Sequence, residues 1–278
     1  MPRGAWILAL LLALLGASAP QAEPALEIRF LNVGQGDAIL LRSADRVALV
    51  DAGPSDAVVR RLRTLGVDSI DLFVASHNHA DHIGGADAVL DSLPVAFYLD
   101  NHLPANTRIQ ERVLQRVEEK GIAYLAPTAR RIALGTARIV VIPPPQRVAG
   151  DAQNNHSVGL LVQQGGFLAL LTGDSEVEEL SALLARDSIP DVDVLKAAHH
   201  GSRNGVTPAW LARTRPEVVV ISAGAGNSYG HPHAAAMRYY CASGRRVLRT
   251  DLHGEVTVTV REDGTYTVAG QRERESGC

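Results

Sequence analysis

The chain has 278 residues, of which 46% are hydrophobic and 21% are charged, and its formal net charge at pH 7 is −3. This composition excludes a mostly disordered chain, a collagen-like repeat and a long coiled coil, and it leaves enough apolar material for a buried core. The slightly acidic balance also provides no overall positive field that would attract nucleic acid.

The first 22 residues have the pattern of a secretory signal peptide. One arginine precedes an apolar run from Ala5 to Leu15, and small residues then offer cleavage sites that end at Ala19 or Ala22. The run is too short for the alternative, a membrane anchor, because a bilayer span needs roughly 20 apolar residues. We therefore predict an exported protein, periplasmic or extracellular, with a signal peptide over residues 1–22. The mature chain, residues 23–278, is predicted to be a single domain without a stable membrane span.

The first half of the mature chain is predicted to alternate short strands with helices. Apolar runs broken by turn residues indicate an antiparallel start, and an amphipathic segment that opens at Pro54 indicates a helix that ends at Gly66. Three consecutive prolines then open a loop, because proline cannot donate to a strand ladder. The predicted strands are 26–32, 37–43, 46–52, 70–76, 95–99 and 137–142, the predicted helices are 54–66, 83–93 and 107–120, and the predicted loop is 143–155.

The second half repeats this alternation and ends in a hairpin that turns at Asp263 and Gly264. Both halves contain adjacent hairpin strands. An αββα four-layer sandwich in one α/β domain therefore fits the pattern better than a doubly wound parallel sheet. The predicted strands are 157–163, 167–173, 192–198, 217–223 and 246–250, and the predicted helices are 176–186, 207–213 and 234–243.

The two cysteines, Cys241 and the terminal Cys278, are too few for a disulfide framework or a cysteine-based zinc finger. A metal ion in this protein must therefore be held by His, Asp or Glu. Export permits a bridge between the two cysteines, but nothing in the sequence brings them together.

Histidines and aspartates concentrate in the segment HNHADH, residues 77–82, directly after a predicted strand. His77 and His79 leave this strand with the same facing, since strand side chains alternate, so both imidazoles can reach one ion. The next turn directs Asp81 and His82 elsewhere, which suits a second ion roughly 3.5–4 Å from the first. The segment therefore predicts a site for two metal ions at the end of the strand.

The segment HNHADH resembles the H-x-H-x-D-H signature of the metallo-β-lactamase superfamily. Five further motifs are similar to the ComEC-type competence branch of that superfamily, and the similarity extends over about residues 25–260. ComEC proteins carry this domain beside a multi-spanning membrane channel, so the chain resembles the free-standing, exported form of the domain. The resemblance implies the αββα sandwich. The five motifs are LNVGQGDA (31–38), LVDAG (49–53), LTGD (171–174), VLKAAHHGS (194–202) and YGHP (229–232).

The resemblance also implies two divalent metal ions, with Zn²⁺ favoured and Mn²⁺ as the alternative for a site of imidazoles and carboxylates. Asp174 matches the carboxylate that bridges the ions, where a shared anion offsets their repulsion; the alternative is an N-terminal cap of the helix 176–186. Asp51 matches a strand-end aspartate that orients a ligating histidine through its spare N–H. The implied metal ligands are His77, His79, Asp81, His82, His156, Asp174 and His200.

Two of these assignments stay open at this stage. One member of the His199–His200 pair completes the second metal, and we favour His200. His199 then points away or gives a proton to the leaving group, so the catalytic assignments are Asp81, through the second metal, and His199. His156 is our candidate for the third ligand of the first metal, although ComEC-type domains often have Asn on this loop.

Candidate substrate contacts lie near these ligands in the sequence. Asp37, in a Gly-Gln-Gly-Asp run, is predicted to lie at the rim of the site, with capping of a hairpin turn as the alternative. The guanidinium of Arg203 suits a phosphate. The full set is Asp37, Ser202, Arg203, Asn227, Tyr229 and His231, and for the last five the alternative is ordinary loop polarity.

The resemblance implies a metal-dependent hydrolase whose nucleophile is a hydroxide bridging two metal ions, most consistent with a phosphodiesterase or nuclease. A β-lactamase or other acyl hydrolase is the catalytic alternative, and a non-catalytic accessory of DNA binding or uptake is the alternative of a different class. The sequence names no protein partner. It has no Ser-x-x-Lys motif, which excludes serine β-lactamase chemistry. Candidate phosphate contacts, or simply solvated faces, are Arg60, Arg61, Arg63, Arg245, Arg246 and Arg249.

Overall fold

Two β-sheets packed face to face form the centre of the protein in a computed structural model that describes residues 23–104, 106–150 and 152–278. The predicted signal peptide lies outside the described residues. The first sheet contains β1 Leu26–Phe30, β2 Ile39–Ser43, β3 Arg46–Val50, β4 Ile70–Val74, β5 Val95–Leu99, β6 Ala123–Leu125, β14 Val256–Val260 and β15 Tyr266–Gly270. The second contains β7 Arg130–Leu134, β8 Ala137–Ile142, β9 Gly159–Gln164, β10 Phe167–Leu171, β11 Val194–Lys196, β12 Val218–Ile221 and β13 Arg246–Arg249.

The strand order is β15-β14-β1-β2-β3-β4-β5-β6 in the first sheet and β13-β12-β11-β10-β9-β8-β7 in the second. Neighbouring strands are parallel from β3 to β6 and again from β10 to β13. The carboxyl ends of the parallel strands in each sheet therefore lie at one edge. Ligands of open α/β sheets commonly bind at such an edge.

Helices cover the outer face of each sheet. Threonine caps begin two of them, because the hydroxyl of Thr107 accepts from the Gln110 amide and that of Thr207 accepts from the Trp210 amide. Against the first sheet lie α1 Ala57–Thr64, α3 Ala86–Ser92 and α4 Arg108–Glu119, with the short α2 Ala80–Ile83 before α3. Against the second lie α5 Val177–Ala185, α6 Pro208–Thr214 and α7 Ala234–Tyr240, and α8 Thr250–His253 follows β13.

Three apolar layers hold sheets and helices together. Phe30 and Val74 of the first sheet share a core with Leu160 and Leu171 of the second. The outer layers bury helix residues against the other face of each sheet, for example Trp210 of α6 against the second sheet. Alternating burial along β1 is what a strand with one face toward such a core requires. The predicted αββα sandwich is confirmed.

Some helices and strands differ from the predicted ones where the local pattern of apolar residues is weak. The helix predicted over 83–93 corresponds to α3, and a separate short helix, α2, precedes it across Gly84 and Gly85. A Cβ at Gly85 would lie 2.3 Å from the Ser55 carbonyl oxygen, so this glycine permits the helices to pack against the backbone after β3. The sequence analysis also missed β6, which has three residues, and β7, whose alternate residues are exposed at a sheet edge.

Cys241, just after α7, forms a disulfide with Cys278, which the sequence analysis left open. The bond ties the C-terminal segment to the second sheet, where the amide of Gly277 donates to the carbonyl of Val247 in β13 at 2.7 Å. Among the helices of the described part of the chain, none is long and apolar enough to cross a membrane.

Candidate metal centre

The carboxyl ends of the parallel strands carry the residues that the sequence analysis singled out. HNHADH follows β4 of the first sheet and leads into α2, whereas Asp174 follows β10 and the His199–His200 pair follows β11 of the second sheet. Residues distant in sequence therefore meet at the edge between the two sheets. They line a cavity of about 350 Å³.

Four side chains form a compact group of potential metal ligands, which we call the carboxylate–histidine cluster: Asp81, His82, Asp174 and His200. One donor atom from each lies within 4.8 Å of all the others. Oδ2 of Asp174 is 3.2 Å from Nε2 of both His82 and His200. Oδ2 of Asp81 is 3.1 Å from Nε2 of His200. Asp174 thus lies centrally, and it does not cap α5, whose N-cap residue is Glu176.

The donor set fits a divalent metal ion. Nε2 of His82 is buried and, among the described residues, has no hydrogen-bond partner, although Oδ2 of Asp174 lies close by. Buried polar atoms are normally satisfied, and side-chain nitrogen and oxygen atoms that converge in this way are suited to surround an ion. Two carboxylates and two imidazoles are ligands that zinc and manganese both accept.

His77 and His79 lie beside this cluster. Nε2 of His77 is 3.1 Å from Nδ1 of His79, and the His77 ring lies 4.0 Å from that of His82 between centroids. His77 is fully buried, and His79 lines the cavity. The two imidazoles predicted to share one ion therefore do converge.

The structure corrects the placement of His156. Its Nδ1 lies 2.7 Å from the carbonyl oxygen of Ala152, and the ring is not part of the cavity wall. Asn154 lines the cavity instead, with its amide donating to Glu176 at 2.9 Å. A short 3₁₀ turn over Asn154–His156 separates the two side chains in this way.

Asp51 lies where it can orient a histidine. Its Oδ2 is 2.8 Å from Nδ1 of His82, and both its oxygens accept hydrogen bonds from Ser76, one from the amide at 2.7 Å and one from the hydroxyl at 2.8 Å. Asp51 is buried and has a left-handed backbone, with φ of 59°. A carboxylate on Nδ1 leaves Nε2 of His82 to face the cluster.

The two adjacent histidines take different places. His200 is buried, with Nδ1 on the Ser222 carbonyl oxygen at 3.0 Å and Nε2 in the cluster. The His199 side chain is 21% exposed in the cavity wall, where Nδ1 is 3.2 Å from Glu176 and Nε2 is 3.8 Å from Asp174. His200, rather than His199, is therefore the member of the pair that joins the cluster.

Asp37 is not at the rim. It is buried beneath the cluster, where its carboxylate pairs with the ammonium of Lys196. Gly36 permits this approach, because a Cβ there would lie 2.1 Å from the Asp81 carbonyl oxygen. Lys196 was not predicted as a site residue, although it is one of only two lysines in the chain and directly precedes the AAHHGS run.

The remaining predicted substrate contacts divide into two groups. Tyr229 and His231 line the cavity with stacked rings 5.7 Å apart, and Tyr229 is 64% exposed. Asn227 turns inward, where its amide bonds the backbone of its own loop at Gly224 and His231. The hydroxyl of Ser202 and the backbone amide of Arg203 contact Nδ1 of His233, and neither residue is in the cavity wall. Gln35, which was not predicted as a site residue, also lines the cavity.

One further motif in this region carries no chemistry. Residues 226–230 match G-x-S-x-G, but Ser228 lies in an exposed loop seven residues after β12 and six before α7. A nucleophile elbow requires a sharp turn directly between strand and helix. Serine hydrolase chemistry is therefore not supported.

Strong charge coupling characterises the cluster. Burial lowers the pKa of His82, but Asp174 and Asp51 outweigh burial and raise it well above its ordinary value. The pKa of His200 is raised in the same way by Asp174 and Asp37. Burial raises the pKa of Asp174, yet His200 and His82 hold it well below its usual range. Without metal, protons on His82 and His200 thus supply the positive charge that bound metal ions would supply.

The sequence profile of the metallo-beta-lactamase superfamily matches residues 31–225. Competence protein ComA of Neisseria gonorrhoeae is 30% identical over 91% of this chain and 36% of that protein. ComE operon protein 3 of Bacillus subtilis is 26% identical over 87% of this chain and 34% of that protein. Recombination protein 2 of Haemophilus influenzae is 29% identical over 87% of this chain and 30% of that protein. The chain therefore spans about a third of the length of these relatives.

Solved structures show the same fold at low identity. The metallo-beta-lactamase fold protein YhfI from Bacillus subtilis has a TM-score of 0.54 and 14% identity, over 88% of this chain and all of that one. CmlA, a diiron β-hydroxylase from Streptomyces venezuelae, has a TM-score of 0.55 and 16% identity over 87% of this chain and 55% of its own. The chain belongs to the metallo-β-lactamase superfamily, and its relatives place it in the ComEC-type branch that the motifs predicted.

Proposed function

We propose that the protein is a metal-dependent phosphodiesterase or nuclease. The observation that carries this proposal is the carboxylate–histidine cluster, in which Asp174 lies 3.2 Å from both His82 and His200 at the floor of an open cavity. Two divalent ions held there, Zn²⁺ or Mn²⁺, would lower the pKa of water to about 7 and so supply a nucleophile at neutral pH.

The chain's own residues position this chemistry. Asp51 on His82 and the Ser222 carbonyl on His200 occupy the Nδ1 atoms, so that each imidazole presents Nε2 to the cluster. Asp174 and Asp81 supply the carboxylates, and His77 and His79 supply the imidazoles for the first ion. His199, partly exposed in the wall, is placed to give a proton to the leaving group.

The substrate proposal depends on the relatives and on the cavity wall. Two relatives are named a competence protein and a recombination protein, and both names refer to processes that handle DNA. The exposed ring of Tyr229, stacked on His231, offers a flat surface to a nucleobase.

Three of the six candidate arginines supply little additional support for a DNA-binding surface, because their guanidinium groups bond to other parts of the fold. Arg61 pairs with Glu255 at 2.6 Å, and Arg249 pairs with Asp251 at the same distance. Arg246 donates to the carbonyl of Val268. These side chains stabilise the fold rather than present an open basic face.

Export of the mature chain is part of the proposal. The disulfide between Cys241 and Cys278 supports it, because such bonds persist in oxidising compartments such as the periplasm or the extracellular space. Mass spectrometry of the N-terminus of protein recovered from the producing cells tests the predicted cleavage after Ala19 or Ala22.

The test combines metal analysis with a substrate screen. We expect close to two divalent ions per chain and turnover of bis-p-nitrophenyl phosphate or DNA. Asp174→Asn keeps the side-chain shape but weakens the central anion, so turnover should fall by several orders of magnitude while DNA binding persists. His102→Ala is the matched control, since His102 is exposed outside the cavity wall and contacts Tyr124.

Three outcomes would contradict the proposal. Hydrolysis of a chromogenic cephalosporin without phosphodiester turnover would indicate an acyl hydrolase. Full metal loading and DNA binding without turnover of DNA, simple phosphodiesters or β-lactams would indicate a binding accessory. Metal content near zero after gentle purification, with no uptake on titration, would remove the metal centre itself.

A further inference from the structure

Lys196 is a fully buried cation directly beneath the candidate metal centre. Its ammonium donates to the Gly173 carbonyl oxygen at 3.0 Å and pairs with the carboxylate of Asp37. It also lies 3.6 Å from Oδ1 of Asp174. A buried charge is costly unless it is paired, so this lysine requires the carboxylates around it.

The Asp37–Lys196 pair connects the two halves of the molecule under the cluster. Asp37 lies in the loop between β1 and β2 of the first sheet, and Lys196 ends β11 of the second. Oδ1 of Asp37 is 3.5 Å from Nδ1 of His200, and Oδ2 is 3.8 Å from Nδ1 of His82. The pair therefore contacts the back of both cluster histidines.

The two oxygens of Asp174 have different environments. Oδ2 faces His82 and His200, each at 3.2 Å, whereas Oδ1 faces Lys196. An ammonium on one oxygen orients the carboxylate and leaves the other oxygen for the cluster. Lys196 also places one positive charge among buried carboxylates that would otherwise repel one another.

We propose that the Asp37–Lys196 pair sets the charge of the metal centre, with the ammonium lowering and the Asp37 carboxylate raising the affinity of the cluster for divalent ions. This inference rests on the proposed metal centre, but not on the identity of the substrate. A purely structural ion pair between the sheets is the competing explanation, and it makes different predictions for metal affinity.

A charge series distinguishes the two explanations. Lys196→Met removes the cation, Asp37→Asn removes its partner, and the double variant Asp37→Asn/Lys196→Met restores the net charge of the unmodified protein. The measurements are the Zn²⁺ dissociation constant from chelator competition and the midpoint of thermal unfolding with and without Zn²⁺. Neither measurement requires turnover.

We expect Lys196→Met to bind Zn²⁺ about tenfold more tightly or better, because a positive charge near the ions is gone, and to lower the unfolding temperature most in the metal-free protein. Asp37→Asn leaves the ammonium to Asp174 alone and should weaken Zn²⁺ binding about tenfold or more. The double variant should return to within about threefold of the original dissociation constant. If Lys196→Met does not fold, comparison of Asp37→Asn with the double variant still measures the effect of the Lys196 charge. These two variants differ only at residue 196.

Equal dissociation constants across the series, with unfolding temperatures lowered alike with and without Zn²⁺, would overturn the inference and leave a structural ion pair. Protein that binds Zn²⁺ and follows the charge series, yet hydrolyses no phosphodiester, would refute the proposed function alone. Protein that binds no divalent ion would refute both.

Discussion

His199 and His200 are adjacent in the sequence, but their side chains occupy different parts of the site. Both have left-handed backbones, with φ of 50° and 53°, which is unusual for consecutive non-glycine residues. Such conformations cost about 1–3 kcal/mol each and persist only where the surroundings hold them. Here the two conformations direct one imidazole into the cluster and the other into the cavity wall.

The different positions of Asn154 and His156 predict different effects of their substitution on metal content. Because His156 bonds the Ala152 carbonyl outside the cavity and Asn154 lines it, His156→Ala should leave metal content unchanged, whereas Asn154→Ala should weaken binding of one ion. Metal stoichiometry after dialysis against dilute Zn²⁺ measures both. An ion lost from His156→Ala and retained in Asn154→Ala would restore the assignment made from the sequence.

Protonation of the cluster gives the second prediction. The pKa values of His82 and His200 are raised in the metal-free protein, so their stabilising charge is complete below the unfolded value of about 6.5 and is lost as pH rises through the folded pKa. The metal-free protein should therefore lose thermal stability as the pH rises above about 6.5.

Metal ions must displace the same protons, so Zn²⁺ affinity should rise over that pH range and hydrolysis should fall on acidification below about pH 6. Thermal unfolding and chelator competition at several pH values measure the two effects. Zn²⁺ affinity independent of pH, or full activity at pH 4 with metal removed, would contradict this linkage.

At the scale of elements, the C-terminal segment protects an edge of the second sheet. The amide of Gly277 donates to the Val247 carbonyl of β13, the edge strand, and the disulfide anchors the segment to the end of α7. An uncovered edge strand presents unpaired amides and carbonyls, which invites pairing with other chains. The bond closes a loop with a sequence separation of 37 residues.

Cys278→Ser should therefore lower the free energy of unfolding by about 3–4 kcal/mol, from the lost restriction of the unfolded chain. Denaturant unfolding with and without a reducing agent measures the change. Reductant should destabilise the unmodified protein to a similar extent and leave Cys278→Ser unaffected. No response of the unmodified protein to reductant would show that the bond contributes nothing.

At the scale of the whole molecule, the candidate ligands come from both sheets. Asp81 and His82 follow β4, whereas Asp174 and His200 follow β10 and β11. Ions bound between them would join the two halves and stabilise only the folded chain. Removal of metal by a chelator should lower the free energy of unfolding by about 4 kcal/mol relative to protein in Zn²⁺ at 1,000 times its dissociation constant.

Differential scanning calorimetry with and without the chelator measures this effect. Asp174→Asn should show a much smaller response to the chelator, whereas His102→Ala should respond as the unmodified protein does. Identical unfolding temperatures in metal and in chelator would argue against ions that connect the sheets.

The sequence by itself determined the features that lie within a few residues of one another. Strand alternation and hairpin turns predicted the αββα sandwich, and the spacing in HNHADH predicted that His77 and His79 converge. Such features depend on local periodicity, which a short segment carries by itself. Resemblance of motifs added the family, which the superfamily profile confirmed.

The tertiary structure alone decided which side chains meet across the sheets. Asp81 and His200 are 119 residues apart, yet their side chains are 3.1 Å apart, and no local pattern specifies that distance. The burial of Asp37 on Lys196, the presence of Asn154 rather than His156 in the cavity wall and the pairing of Cys241 with Cys278 depend likewise on how separate loops pack. Contacts between distant segments follow from the joint packing of two sheets, so they exist only once the whole chain is folded.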